Sequence, residues 1–215
     1  MTYIPQVQGQ SDLAYFEDLG LIGGSTGMAP IISKNGADTW GTPDETYGTA
    51  AVISTNVLKW GAASADSWVG YSLGATYDKV LMITYTITST SHNIYPCLIS
   101  KNALDNTNSA VSNDFYVTNQ TSTTQLHKRT GGSWTQLGAS DATIYTAIIV
   151  STPAFGTALY VEDGTQKMFM KFGSTSEWFP ILSASDGDST SFQSVAIWTS
   201  AKNMRCTTPF LVWGA

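Results

Sequence analysis

Past residue 50 the sequence contains no helical run as long as about ten residues. In its place stand short runs rich in Thr, Val, Ile, Tyr and Trp, while the helix formers Lys, Glu, Arg and Gln are scarce. Such runs fit a pleated, half-buried surface. The clearest runs from Lys79 to Thr88 (KVLMITYTIT). Strand side chains alternate between the two faces. Val80, Met82, Thr84, Thr86 and Thr88 therefore share one face, and Leu81, Ile83, Tyr85 and Ile87 the other. The more apolar second set is expected to face the core, with the threonines outside.

Turn signals join the runs into hairpins. DFYVTN (114–119) and TQLHKR (124–129) read as a pair joined by a polar loop. Arg129 then runs through Gly131-Gly132 into SWTQL (133–137), and glycines are suited to tight hairpin turns. TALYVE (157–162) and QKMFMKF (166–172) flank Asp163-Gly164, a second hairpin signature. VISTNVLKW (52–60), WVGYSL (68–73), TIYTAIIVST (143–152), WFPIL (178–182), SVAIWT (194–199) and TPFLVW (208–213) read as further strands. IYPCLISK (94–101) carries Pro96, which cannot donate to a ladder, so that strand lies at an edge or is bulged there. About a dozen short strands without helices between them point to an all-β, antiparallel jelly-roll sandwich over residues 51–215 and exclude an α/β fold.

Residues 1–50 differ. They are rich in Gly, Pro and Asp, with one helix candidate, SDLAYFEDLG (11–20), which Ser11 or Asp12 caps and Gly20 ends. A long irregular stretch needs a job. It reads as an extended N-terminal arm packing on the sandwich or on a neighbouring subunit, with Tyr3, Ile4, Leu13, Tyr15, Phe16, Leu19 and Ile22 as apolar anchors.

Only 12% of residues are charged, about half the usual share of roughly 25%. Ser and Thr fill about a quarter of the positions. The formal net charge of −6 argues against a nucleic-acid surface, and no apolar run is long enough to span a membrane as a helix. The N-terminus carries no secretory signal pattern, so the protein is expected either to act inside a cell or, made in a host cytoplasm, to leave by lysis or assembly into a virion. Cys97 and Cys206 lie in apolar runs and read as buried free thiols, with a bridge as the alternative. The sequon at Asn119 reads as coincidental.

TIYTAIIVST followed by FGTALYVEDGTQKMF, then WFPILSAS and SFQSVAIWTSAK, resembles the long strand, the hairpin and the late strand of concanavalin A-like or laminin G-like jelly rolls. The resemblance covers residues 50–213. The Ser-, Thr-, Gly- and Ala-rich composition is also similar to that of tailed-phage virion proteins. These resemblances imply a β-sandwich virion protein.

Catalytic patterns are missing. Glycosidases of this sandwich type need two carboxylates flanking the scissile bond. None of Glu17, Glu45, Glu162 and Glu177 has a carboxylate two positions away, and Glu162-Asp163 borders a turn. A nucleophilic triad needs a histidine base. Of the two histidines, His92 lies near a turn, and His127 reads as a surface residue of the hairpin. No zinc set exists, and no cofactor is implied. Asp186-Gly187-Asp188-Ser189 offers oxygen ligands that a calcium ion would accept, as calcium-binding lectin-like sandwiches do in loops, but a plain Asp-Gly turn is the simpler reading. Seven tryptophans remain. Trp198 and Trp213 read as core. Trp134, beside the Gly-Gly turn, and Trp178, after a Ser-Thr-Ser loop, are candidates for stacking on a sugar or filling a partner's pocket.

Two functions follow as expectations. One is a non-enzymatic virion subunit (capsid decoration, head fibre or tail) that assembles with other virion subunits as a dimer or trimer. The other is a carbohydrate-binding module or receptor-binding tip that holds a surface glycan through Trp134 or Trp178. An exposed aromatic platform rimmed by polar side chains separates the second from the first.

Overall fold

The computed structural model describes residues 11–34, 40–48, 52–54, 57–60, 66–88, 94–107, 114–120, 123–139, 154–172, 177–200 and 204–215. Helix α1 (Ser11–Asp18) precedes β1 (Ala29–Lys34), β2 (Glu45–Tyr47), β3 (Val52–Ser54), β4 (Val57–Trp60), β5 (Asp66–Tyr77), β6 (Val80–Thr88) and β7 (Ile94–Ser100). Then follow β8 (Phe115–Gln120), β9 (Thr124–Thr130), β10 (Ser133–Ala139), β11 (Ala154–Glu162), β12 (Thr165–Phe172), β13 (Trp178–Ala184), β14 (Phe192–Ser200) and β15 (Met204–Gly214). Among the described residues they form two antiparallel sheets. The eight-stranded sheet has the order β13-β12-β11-β6-β15-β4-β3, with β1 also on β15; the seven-stranded sheet has the order β10-β9-β8-β7-β14-β5-β2. This is the all-β sandwich that the alternating runs indicate.

Both Gly-containing hairpins form, Thr130 pairing with Ser133 and Glu162 with Thr165. The run 52–60 is not one strand: Ser54 pairs with Val57, so the chain reverses between them. The expected strand 143–152 lies outside the described residues. Two strands, β1 and β2, precede residue 51 and pair with β15 and β5. The sheets therefore extend into the stretch assigned from sequence to an arm.

The main core lies between the sheets and takes Val80, Met82, Leu159 and Val161 from one, and Val69, Ile99, Val195 and Ile197 from the other. This corrects the facing of β6. Val80 and Met82 point inward, and Leu81, Ile83 and half-buried Tyr85 belong to a second cluster on the opposite face. Thr84 and Thr86 are fully buried between the sheets rather than outside. The Thr84 hydroxyl donates to the Pro96 carbonyl (3.2 Å) and lies 3.5 Å from Cys97 Sγ; Thr86 Oγ1 lies 3.8 Å from Cys206 Sγ. The ladder shifts register around Pro96, between Ile94 and Leu98 toward β8. That is the bulge the proline demands, and the Thr84 hydroxyl meets the carbonyl there. β7 itself lies between β14 and β8, so it is not an edge.

The second cluster explains why both faces of β6 are covered. Phe16, Leu21, Ile22 and Met28 lie over Leu81, Ile83, Ala158, Phe169 and Trp178 on the outer face of the eight-stranded sheet. Helix α1 ends as its glycine indicates. Gly20 takes φ +67°, its N–H donates to Glu17 O and the Leu21 N–H donates to Phe16 O. That pattern satisfies the last carbonyls and brings Leu21 onto Phe16. An isolated eight-residue helix is marginal in water, so this packing holds it.

Candidate functional site

The site is built on the β9–β10 hairpin. Gly131 (φ +55°) and Gly132 (φ +86°) make a turn that residues with side chains resist. It places Trp134 opposite Arg129, Arg129 opposite Phe115, and Gln136 opposite His127. Residues directly opposite in a ladder share a face. This face is the outer one of the seven-stranded sheet, because Leu126, one position from His127, lies in the inter-sheet core.

Trp134 is 43% exposed. Its ring packs edge-on against Phe115 (5.4 Å between centroids) and His127 (5.8 Å), and tilted over Trp198 (5.9 Å) and Tyr95 (6.3 Å). The Arg129 guanidinium lies 6.0 Å from both the Trp134 and Phe115 rings, an arrangement worth about 0.5–1 kcal/mol at an exposed site. Beneath runs an aromatic row in register across four strands: Tyr47 opposite Trp68, Trp68 opposite Trp198, and Trp198 opposite Tyr95. Tyr95 and Trp198 stack at 4.3 Å. The result is an exposed indole on a packed aromatic floor that includes His127, rimmed by Arg129 and Gln136.

Burial pushes the His127 imidazole below its ordinary pKa, so it is neutral at neutral pH. Its Nε2 lies 2.8 Å from Gln125 Oε1. His127 is half-buried against the aromatic cluster, not the surface residue read from the sequence. His92 lies outside the described residues.

The other sequence candidates are dispersed. Trp178 is buried, not loop-exposed. It opens β13 and packs on Phe16 (5.2 Å) and Tyr85 (6.1 Å) over Gly156, where an added Cβ would come within 2.9 Å of its ring. It therefore offers no face to a sugar. Trp198 is buried and Trp213 half-buried. Of the arm anchors, Phe16 and Ile22 are buried in the chain's own second cluster, Leu13 and Tyr15 are half-buried against it, and Leu19 is 47% exposed. Tyr3 and Ile4 lie outside the described residues.

Asp186 and Asp188 lie in the β13–β14 loop with lysines on their carboxylates. Asp186 Oδ1 meets Lys128 Nζ at 2.6 Å and its other oxygen accepts from the Tyr116 hydroxyl; Asp188 Oδ1 meets Lys101 Nζ at 2.8 Å. Burial alone would raise the Asp186 carboxyl, but hydrogen bonds from Lys128 and Tyr116 and the charges of Lys128 and Lys101 hold it below the ordinary range. Among the described residues no group of three His, Cys, Asp or Glu is placed to hold a metal ion. Through these bonds the loop is tied to Tyr116 on β8, Lys128 on β9 and Lys101.

A second concavity of about 390 Å³ lies at the other side of the same sheet, lined by Asp44, Glu45, Ser72, Leu104, Gln193 and Ser194. Asp44 accepts from the Ser72 N–H (2.7 Å) and Glu45 from the Asn106 amide. Cys97 and Cys206 are free, buried thiols, pushed up to about 12 chiefly by burial.

Sequence reading found Trp134 but missed Tyr95, Phe115, His127 and Trp198 as its surroundings. The available signal was the outward parity of β8 and β9. On β7 the Pro96 bulge breaks that parity, and on β14 the apolar run conceals it.

No protein-family model matches the chain, and no curated protein matches it in sequence. Solved structures do match in fold. The VIP36 exoplasmic/lumenal domain in its Ca2+/Man3GlcNAc-bound form superposes with a TM-score of 0.57 at 8% identity, over 80% of this chain and 83% of that one. A legume lectin-like domain from Entamoeba histolytica gives 0.55 at 10% identity, over 86% and 97%. The fold is thus a concanavalin A-like, legume lectin-like sandwich.

Proposed function

We propose that this chain is a non-enzymatic carbohydrate-binding domain that holds a surface glycan on the outer face of its seven-stranded sheet, with Trp134 as the stacking residue. The observation that carries the reading is the 43% exposure of Trp134 on a packed aromatic floor with Arg129 and Gln136 at its rim. An indole face takes the apolar face of a pyranose, and the rim supplies donors and acceptors for its hydroxyls. The VIP36 structures with bound mannose-containing ligands support the reading by likeness of fold. The test is a printed glycan array probed with the intact chain and with Trp134→Ala. Binding of the intact chain to at least one glycan, weakened about tenfold by the substitution, is expected. No binding by the intact chain removes the reading.

Assembly into a virion, the other expectation, keeps one supporting observation. Tyr15, Leu19, Phe169, Pro180, Ile181 and Leu182 line an apolar concavity of about 320 Å³ beside exposed Phe179, where β13 forms the sheet edge. Particle size by light scattering, compared between the intact chain and Leu19→Ser/Phe179→Ser, tests self-association there. An unchanged size removes that role for the patch.

A further inference from the structure

Among the described residues, three polar atoms on the outer face of the seven-stranded sheet have no hydrogen-bond partner although they are buried: Trp198 Nε1, His127 Nδ1 and Asn119 Oδ1. Trp198 and Asn119 are more than nine-tenths buried. Orphaned buried polar groups are costly and rare in folded proteins, and each calls for a reason. These three share one face of the sheet, on β8, β9 and β14, with the Trp134 ring lying against two of their owners.

The amide orientation of Gln125 sets the roles of two of them. Gln125 Nε2 donates to Thr123 Oγ1 (2.9 Å), and Gln125 Oε1 is turned toward His127 and Asn119. It accepts from His127 Nε2 (2.8 Å) and from Asn119 Nδ2 (3.4 Å). His127 therefore carries its proton on Nε2, which leaves Nδ1 an acceptor, and Asn119 is left with Oδ1 as an acceptor. Trp198 Nε1 can only donate. One donor and two acceptors stand ready along a face whose cover is a single indole.

We infer that the Trp134 indole lifts off its floor to stack on one face of a pyranose, and that the recognition groups of the site are the three it otherwise helps to hide, which take the vicinal hydroxyls of that ring. Adjacent sugar hydroxyls both donate and accept, so one accepts from Trp198 Nε1–H while donating to His127 Nδ1, and its neighbour donates to Asn119 Oδ1. Room for that movement is offered by β10, which among the described residues is the terminal strand of its sheet and is exposed from Ser133 to Gln136. A register shift between Gln136 and Gly138 interrupts its ladder to β9. The inference rests on the glycan-binding reading and adds its specificity: a vicinal diol on a six-membered ring, selected by groups that no exposed contact reveals.

The test combines affinity with the ligand response of the Trp198 indole N–H, a signal that a purely structural role would not move. The probe is a printed array of mono- and oligosaccharides including gluco-, manno-, galacto- and xylo-series. It is followed by calorimetric titration of the strongest binder into the intact chain, Trp198→Phe and His127→Phe. Trp198→Phe removes the unused donor together with part of the indole, so both variants are titrated well below their melting transitions. Each substitution is expected to weaken binding about fivefold in protein that remains folded. In NMR spectra the Trp198 indole N–H resonance, assigned by its loss in Trp198→Phe, should shift on ligand addition. Full affinity in both variants, or an indole resonance that ligand leaves unmoved, overturns the inference while glycan binding stands. No array binding by the intact chain removes the glycan reading itself and this inference with it.

Discussion

Replacing Phe16 by Ala tests whether the N-terminal segment belongs to the fold. The Phe16 ring is fully buried and packs on Phe169 (5.4 Å), Trp178 (5.2 Å) and Tyr15 (5.3 Å). Truncating a buried phenylalanine to alanine costs about 3–5 kcal/mol. In a chain of this size each kcal/mol moves the melting temperature by about 2–4 °C, so a fall of about 6–20 °C is expected if helix and sandwich unfold together. The cost has a ceiling. Because α1 has only eight residues and is marginal alone, a large enough loss undocks the segment while the sheets remain. The global loss then stops at the docking energy of Phe16, Leu21, Ile22 and Met28. Calorimetry gives the total, and amide exchange at Phe16 to Met28 separates the regimes: concerted unfolding leaves their protection tied to that of β6, and undocking lowers it alone. A shift below about 2 °C with unchanged protection would mean that Phe16 is not packed on the sheet, and the reasoning about the second core would fail.

Three further outcomes follow from the same contacts. Gly156→Ala sets a Cβ 2.9 Å from the Trp178 ring and 3.1 Å from Tyr85, and overpacking of this kind costs about 1–3 kcal/mol; urea denaturation with no change in midpoint would contradict the close approach. The Asp186 carboxyl has a lowered pKa in the folded state, so its stabilising share is present above the ordinary carboxylate range and is lost as pH falls through the folded value. Lys128→Met should therefore cost more stability near about pH 7 than near about pH 2, and equal costs would sink the linkage. With both thiols near 12 and buried, the native protein should resist a thiol-reactive dye at about pH 8 and react at both cysteines once unfolded; fast labelling of the native form would show that one of them is accessible.

How far the sequence reaches is visible on single strands. The hairpin at Gly131-Gly132 was legible because two adjacent glycines with positive φ make a local signal that tertiary structure does not override. The strand character of β6 was legible too, but its facing was not. Alternation identifies two faces, and here both are covered, one by the second sheet and the other by Phe16, Leu21 and Ile22. Thr84 and Thr86 went inside because the bulge at Pro96 and the buried thiols put partners there for hydroxyls. The composition therefore takes on a different meaning. Part of the Ser and Thr that replaces charge is interior, with Ser67, Thr118, Thr157 and Thr199 also buried. Trp178 was misplaced because a Ser-Thr-Ser loop says nothing about a glycine more than twenty positions earlier that leaves room for an indole. The site was legible at one residue. Trp134 advertises itself by the turn beside it, whereas its floor comes from four other strands whose alignment no local pattern records.

The account stands or falls on where a glycan sits. Amide and indole chemical shifts of the labelled protein, followed while the strongest glycan of the array is added, locate it directly. The predicted result is a set of perturbations centred on Trp134, Arg129, His127 and the Trp198 indole, absent in Trp134→Ala. Perturbations gathered instead around the Asp186–Asp188 loop, or around Leu19 and Phe179, would contradict it.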